Sequence, residues 1–185
     1  KDMSTFIEKQ EDLLTKEECS NIIKWVTDNH DLVKDTSTNG NGYYYNNLME
    51  PGEDFGETIG TVPELRPIFD AIIKLIHAYV KHYPEVTHIG IIEPDYVRFK
   101  WWKPGNFFSR WHSEHALKYP YRVLSFLIYL SDNDCSTEFL NYRNVRTKAG
   151  RGIMFPSYFT HEHRGSPCGK GLDRYIISGY FGFKK

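Results

Sequence analysis

The segment Phe107-Phe108-Ser109-Arg110-Trp111-His112-Ser113-Glu114-His115 holds an imidazole and a carboxylate two positions apart. On a strand, residues i and i+2 project from one face, so His112 and Glu114 can present both groups to a single ion. His-x-Glu alone is a weak signal, because a solvated edge strand with its polar residues outward produces the same triplet. A second segment, Met154 to Tyr175, adds His161, His163 and, further on, Arg174. Two histidines and one carboxylate on one face of an octahedral ion leave three open positions, the arrangement diagnostic of non-heme Fe(II) oxygenases. Those positions suit a bidentate 2-oxoacid and dioxygen. His161 and His163 would share one side of a strand, so either could complete the set. The remote carboxylate of the 2-oxoacid needs a fixed, always-charged, forked donor, which favours Arg174 over any lysine.

These residues need a rigid frame, and the C-terminal half has the periodicity of one. Ile89 to Ile92, Tyr96 to Trp102, Val123 to Leu130, Thr137 to Tyr142, Gly152 to Phe155 and Tyr175 to Phe183 read as strands, rich in β-branched and aromatic residues. Turn residues separate them, as in Lys103-Pro104-Gly105, Ser131-Asp132-Asn133-Asp134 and Gly165-Ser166-Pro167, which predicts an antiparallel sandwich or small jelly-roll barrel. Two helices are expected before it. Thr15 and Glu18 form a capping box ahead of Cys19, Ile22, Ile23 and Val26; Thr61 and Glu64 form a second, with Pro63, ahead of the apolar face from Leu65 to Val80. That second helix should pack on a sheet. Between them, Asp31 to Thr61 reads as a long loop or a loop with an edge strand, with the cluster Tyr43, Tyr44 and Tyr45 in its middle, either a lid over the metal or rings packed on the sheet. The expectation is one domain over residues 1–185, mainly β within the α+β class: helical support and loop over 1–88, and the core over 89–185.

Composition narrows the partners. At 185 residues the chain can bury about two thirds of its unfolded surface without staples. Its 23 basic and 24 acidic residues nearly cancel, so no nucleic-acid partner and no polybasic membrane contact is expected. No run approaches the roughly 18 apolar residues of a membrane span. Cys19, Cys135 and Cys168 are odd in number, widely spaced and without a CxxC pair, which predicts neither a disulfide framework nor a zinc knuckle and suits a reducing, cytoplasmic setting.

From about Tyr96 to Phe181 the chain resembles the Fe(II)/2-oxoglutarate-dependent dioxygenases of the double-stranded β-helix (jelly-roll) fold, and within them the prolyl-4-hydroxylase-like branch. The matching elements are Trp102 to Gly105, His112-x-Glu114, Tyr129 in Tyr-Leu-Ser, Thr137-Glu138-Phe139, His163-Arg164-Gly165 and Arg174, all in the family's order. The resemblance implies Fe(II) on His112, Glu114 and His163, the last chosen over His161 because Pro167 and Gly171 then fall at the family's positions. It implies 2-oxoglutarate held by Arg174 and Tyr129, with Thr137 lining the pocket. It further implies O2 as co-reactant and a hydroxylated C–H, leading to a prolyl or other peptide or protein side chain, or a small molecule, as substrate. Three departures stand out: Glu114 where Asp is commoner, one extra residue between Gly105 and His112, and Cys135-Ser136 in place of Gly-Gly.

Two other readings compete. A catalytically silent jelly-roll binding module would keep the fold and a metal, but retention of Tyr129 and Arg174 with all three ligands speaks against it. A zinc hydrolase lacks a general base and leaves Arg174 unexplained. His161 then reads as a residue behind the ligands or at the surface, His115 as a polar strand end, and His30, His77, His82 and His88 as histidines without partners.

Overall fold

The computed structural model describes residues 4–37, 42–169 and 171–184. The first capping box forms as expected. The Thr15 hydroxyl accepts from the Glu18 amide at 3.0 Å, the Glu18 carboxylate accepts from the Thr15 amide at 2.9 Å, and helix α1 runs Lys16–Asn29. The second box does not form. Helix α2 runs Arg66–His82 after Leu65, which contributes no side-chain cap, and Thr61 donates backward to the Glu57 carbonyl beside a π-helical turn at Gly56–Gly60. The Val62 carbonyl accepts from both Leu65 and Arg66, so a backbone turn takes the place of the side-chain cap.

The strands are β1 (Glu8–Gln10), β2 (Val33–Asp35), β3 (Tyr43–Met49), β4 (Ile92–Trp102), β5 (Arg122–Tyr129), β6 (Ser136–Phe139), β7 (Val145–Arg146), β8 (Gly152–Pro156), β9 (His163–Gly165) and β10 (Arg174–Phe183). They form a seven-stranded antiparallel sheet in the order β1-β8-β5-β10-β4-β3-β2 and a three-stranded sheet in the order β7-β6-β9. Residues 1–88 are therefore not only helix and loop, because β1 joins the large sheet beside β8 and β3 joins it beside β4. Tyr43 to Tyr45 belong to that strand, and Tyr43 is buried with its ring stacked on Trp102 at 4.5 Å, the packed alternative.

Alternation along the large sheet sorts its faces. Val97, Phe99, Phe126, Ile128 and Ile177 share one buried cluster with Ile22 and Val26 of α1 and Ile68, Ile72 and Leu75 of α2. The helices thus cover that face. The opposite face carries Tyr129 and Ile176 into a second cluster with Phe139 of the small sheet, and beside it Lys100, Trp102, Arg174 and Ser178 face a cavity. No helix among the described residues is long and apolar enough to cross a membrane.

The cysteine reading needs correction. Cys135 and Cys168 are disulfide-bonded, with Cα atoms 4.8 Å apart, and Cys19 is the free, buried thiol. The reason is topological: β6 and β9 pair antiparallel with Thr137 opposite Gly165, so the residue before β6 meets the turn after β9. Sequence spacing does not reveal such a meeting. Alkylation of unfolded, unreduced protein should label one thiol, and three after reduction; three labels without reduction would contradict the bond.

Gly179, at the centre of β10, is the point of closest approach. A Cβ there would lie 2.0 Å from the Tyr96 carbonyl oxygen and 2.5 Å from Phe126 Cζ. Gly179→Ala is expected to destabilise the protein by at least about 2 kcal/mol, read as a lower denaturant midpoint; an unchanged midpoint would mean β4 and β10 are less tightly apposed than described.

Candidate active site

The loop after β4 and strand β9 lie side by side. His112 N donates to the His163 carbonyl at 3.1 Å, His163 N donates to the His112 carbonyl at 3.0 Å, and Gly165 N donates to the Phe108 carbonyl at 2.9 Å. His112 is thus in an isolated β-bridge and not on a continuous strand as expected. Glu114 lies just beyond, pinned where the Glu114 and His115 amides both donate to the Ser157 carbonyl, at 2.9 and 2.8 Å.

This pairing gathers three ligand atoms. His112 Nε2 lies 3.0 Å, and His163 Nε2 3.6 Å, from Glu114 Oε1, and one ligand atom from each residue falls within 4.8 Å of the others. The opposite ring nitrogens are already engaged: His112 Nδ1 sits 2.9 Å from the Arg110 carbonyl, and His163 Nδ1 3.0 Å from the His161 carbonyl. A carbonyl can only accept, so Nδ1 donates in both rings and each Nε2 faces the shared space beside Glu114. Burial, reinforced by His112, pulls His163 down to about 4, so it is neutral at neutral pH and ready to ligate. Burial alone would raise the Glu114 carboxyl, but the His112 hydrogen bond and the charges of His112, His163 and Lys100 outweigh it and bring it to about 2. An ionised carboxylate beside an imidazole held neutral by burial suits a divalent cation.

The chain path separates the two distal candidates. His161 lies in a short 3₁₀ turn, Phe159–His161, not on the strand, and points away: its Nε2 is 2.8 Å from the Thr5 carbonyl and its ring stacks on Tyr142 at 4.8 Å. It is buried, not a surface residue, and its carbonyl orients His163. His115 packs its ring on Tyr158 at 4.3 Å. His82, expected to be without a partner, has Nδ1 2.6 Å from Glu8 Oε2.

The cavity extends from the three ligands to Arg174, which lies at the start of β10 opposite Trp102. Arg174 is 3% exposed, its Nε has no partner, and no carboxylate among the described residues pairs with it, so it is not a surface ion pair. Gly165 leaves room for it, since a Cβ there would stand 3.0 Å from Arg174 Nη1. Thr137 lines the cavity, whereas the fully buried Tyr129 lies behind it, with its hydroxyl 2.7 Å from Thr137 Oγ1. The guanidinium, over the Tyr129 ring at 5.9 Å but without an anionic partner, and the His112, Glu114 and His163 cluster fit a dianion that spans the cavity and a cation at its end.

Sequence reasoning missed several neighbours of this site. Lys100 lines the cavity, and burial, with Arg98 beside it, lowers its ammonium to about 8. Tyr180 lines the cavity, where burial and the nearby Glu114 raise its hydroxyl, and Arg122 lies 3.8 Å from Glu114 Oε2 while stacking over the Tyr180 ring at 3.9 Å. The signal was the alternation Tyr96, Arg98, Lys100, Trp102 along β4, legible only once the opposite face is known to lie under the helices.

Comparison with known proteins matches this geometry. Residues 97–182, which contain all three ligands, Tyr129, Thr137 and Arg174, match the family model described as the 2OG-Fe(II) oxygenase superfamily. Similar folds include a prolyl-4-hydroxylase from Pseudomonas putida, at 18% identity, covering 97% of this chain and 93% of that one, TM-score 0.70. A viral collagen prolyl hydroxylase from Paramecium bursaria Chlorella virus-1, in complex with 2-oxoglutarate, is 18% identical over 98% of each chain, TM-score 0.69. A Trichoplax adhaerens prolyl hydroxylase, bound to a hypoxia inducible factor peptide fragment, is 10% identical over 97% of this chain and 84% of that one, TM-score 0.72. Comparison with curated proteins returned no match. The matched segment is similar to 2OG-Fe(II) oxygenase domains, a family whose cofactor and cosubstrate are Fe(II) and 2-oxoglutarate, and the fold is the jelly roll also seen in these prolyl hydroxylases.

The ligand assignment is open to direct test. His112→Ala and His163→Ala should each weaken Fe(II) or Mn(II) binding by at least about 100-fold, and His161→Ala by less than about tenfold because the carbonyl that orients His163 remains. Calorimetric metal titration reads all three; a larger loss for His161→Ala would overturn the set.

Proposed function

We propose that residues 1–185 form a single oxygenase domain that hydroxylates a C–H bond of a prolyl or other peptide or protein side chain. Fe(II) would sit on His112, Glu114 and His163. The observation that carries this reading is the cavity itself, with a three-ligand face at one end and, at the other, a buried Arg174 that meets the Tyr129 ring but no carboxylate among the described residues. A silent binding module has no use for that guanidinium, whose burial without a counter-ion costs stability.

Iron bound there supplies the activation of dioxygen: 2-oxoglutarate loses carbon dioxide and becomes succinate, one oxygen atom enters succinate, and the other enters the substrate as hydroxyl. The protein's own groups do the positioning. Arg174 and Thr137 hold the far carboxylate of 2-oxoglutarate, and Tyr129 fixes the Thr137 hydroxyl from behind. Trp102 and Phe108, the latter with its ring 4.3 Å from His112, shield the ligands from water. The likeness to a hydroxylase bound to a peptide fragment supports a peptide substrate. We further place the protein in an oxidising compartment, because the Cys135–Cys168 bond removes the ground for the cytoplasmic expectation.

Anaerobic protein mixed with Fe(II) and 2-oxoglutarate should develop the weak visible charge-transfer band of the chelated 2-oxoacid, and admission of oxygen should produce succinate. Metal binding with neither signal would favour the silent module. Arg174→Ala should raise the 2-oxoglutarate concentration needed for the band by about 10–100-fold, the loss of one charge-assisted hydrogen-bonded contact, while metal affinity stays unchanged. An unchanged requirement would remove Arg174 from the cosubstrate site.

A further inference from the structure

The proposed reading leaves two charged groups of the cavity unused, and of these Arg164 is already paired with Glu138 at 3.0 Å, which leaves Lys100. Lys100 lies on β4, in register with Ile176 of β10 and Tyr45 of β3, and its side chain lines the same cavity as His112, Glu114 and Arg174. It is half-buried, with its ammonium 5.3 Å from the centre of the Tyr43 ring, and among the described residues no carboxylate approaches it to ion-pair distance. Glu114 and Asp35 act on it only from further off. Asp35 already accepts from the amide and hydroxyl of Ser37, and Glu114 faces the two histidines.

The charges of the loaded site do not require it. The two positive charges of iron and the one on Arg174 are matched by Glu114 and the two carboxylates of 2-oxoglutarate. Arg122 beside Glu114 adds to the positive side and does not offset Lys100. An ammonium held in a cavity without a counter-ion is costly, and the cost is recovered when an anion enters. A lysine is suited to that task, since its compact charge on a flexible stem meets a carboxylate in several orientations, whereas the forked Arg174 fixes one.

We propose that Lys100 is a specificity-determining residue that holds a carboxylate of the substrate beside the metal face, so that the substrate is an acid-bearing amino acid or peptide residue. The inference rests on the oxygenase reading above. The carboxylate belongs either to a chain end or free amino acid, or to an acidic side chain.

The test uses the whole protein loaded anaerobically with Mn(II) and 2-oxoglutarate. Three probes are titrated: N-acetyl-L-proline, N-acetyl-L-glutamic acid α-amide and the neutral N-acetyl-L-prolinamide. Broadening of the probe methyl resonance by the nearby paramagnetic ion reports binding. At least one acidic probe should bind at least about tenfold more tightly than the neutral one, the scale of a charge-assisted contact. Which acidic probe does so identifies the source of the carboxylate. Lys100→Met should abolish the preference, Lys100→Arg should keep it, and neither should change the 2-oxoglutarate affinity. Equal binding of all probes, or a preference that survives in Lys100→Met, overturns the proposal. So does a loss of 2-oxoglutarate affinity in Lys100→Met, which would assign the lysine to the cosubstrate. If Mn(II) and 2-oxoglutarate fail to load, the oxygenase reading falls and this inference with it.

Discussion

The site depends on one reciprocal pair of backbone hydrogen bonds, between His112 and His163 at 3.1 and 3.0 Å. These bonds join a loop that leaves the large sheet to a strand of the small sheet, and they set two imidazoles from distant parts of the chain 4.3 Å apart, centre to centre. Everything else supports that bridge. Phe108 and Gly165 extend it by one more backbone bond, Ser157 anchors the next two amides of the loop, and the Arg110 and His161 carbonyls turn the two rings. Because the orienting acceptors are backbone atoms, the tautomers follow from the fold and not from further side chains.

Electrostatics follow from where the two sheets part. Over β5 and β8 the small sheet closes the gap with Tyr129, Phe139, Phe155 and Ile176, and the interior is apolar. Alongside, the inner face of β4 and β10 carries Arg98, Lys100, Arg174 and Ser178, of which Lys100, Arg174 and Ser178 line the cavity. A sheet with helices on one face usually turns its polar side to water. Here part of that polar side lines a cavity, so its charges are held with few partners, ready for a ligand that brings its own. The disulfide acts at the same place, tying the start of β6, which bears Thr137, to the turn that leads from β9 toward Arg174.

Local signals carried the first helix and the main strands, and they pointed to the candidate site residues. The capping box at Thr15 involves residues three apart, and His112, Glu114, His163 and Arg174 stand out because charged and metal-binding types interrupt apolar runs. What sequence left hidden depends on long-range pairing. Thr61 and Glu64 have the composition of a cap, but the Val62 carbonyl closes the turn first. The Tyr43–Tyr45 cluster reads as loop because Asn and Gly surround it, yet it pairs with Lys100 and Trp101 as an interior strand. Cys135 and Cys168 meet only because β6 and β9 run antiparallel, and Lys100 becomes a cavity residue only because the helices claim the other face of β4.

The most direct test of the account is anomalous diffraction from crystals prepared anaerobically with Fe(II) and 2-oxoglutarate. The account predicts one iron peak bonded to His112 Nε2, His163 Nε2 and a Glu114 oxygen, with 2-oxoglutarate reaching from the metal to Arg174. An iron bound through His161, or a 2-oxoglutarate whose far carboxylate turns away from Arg174, would contradict it.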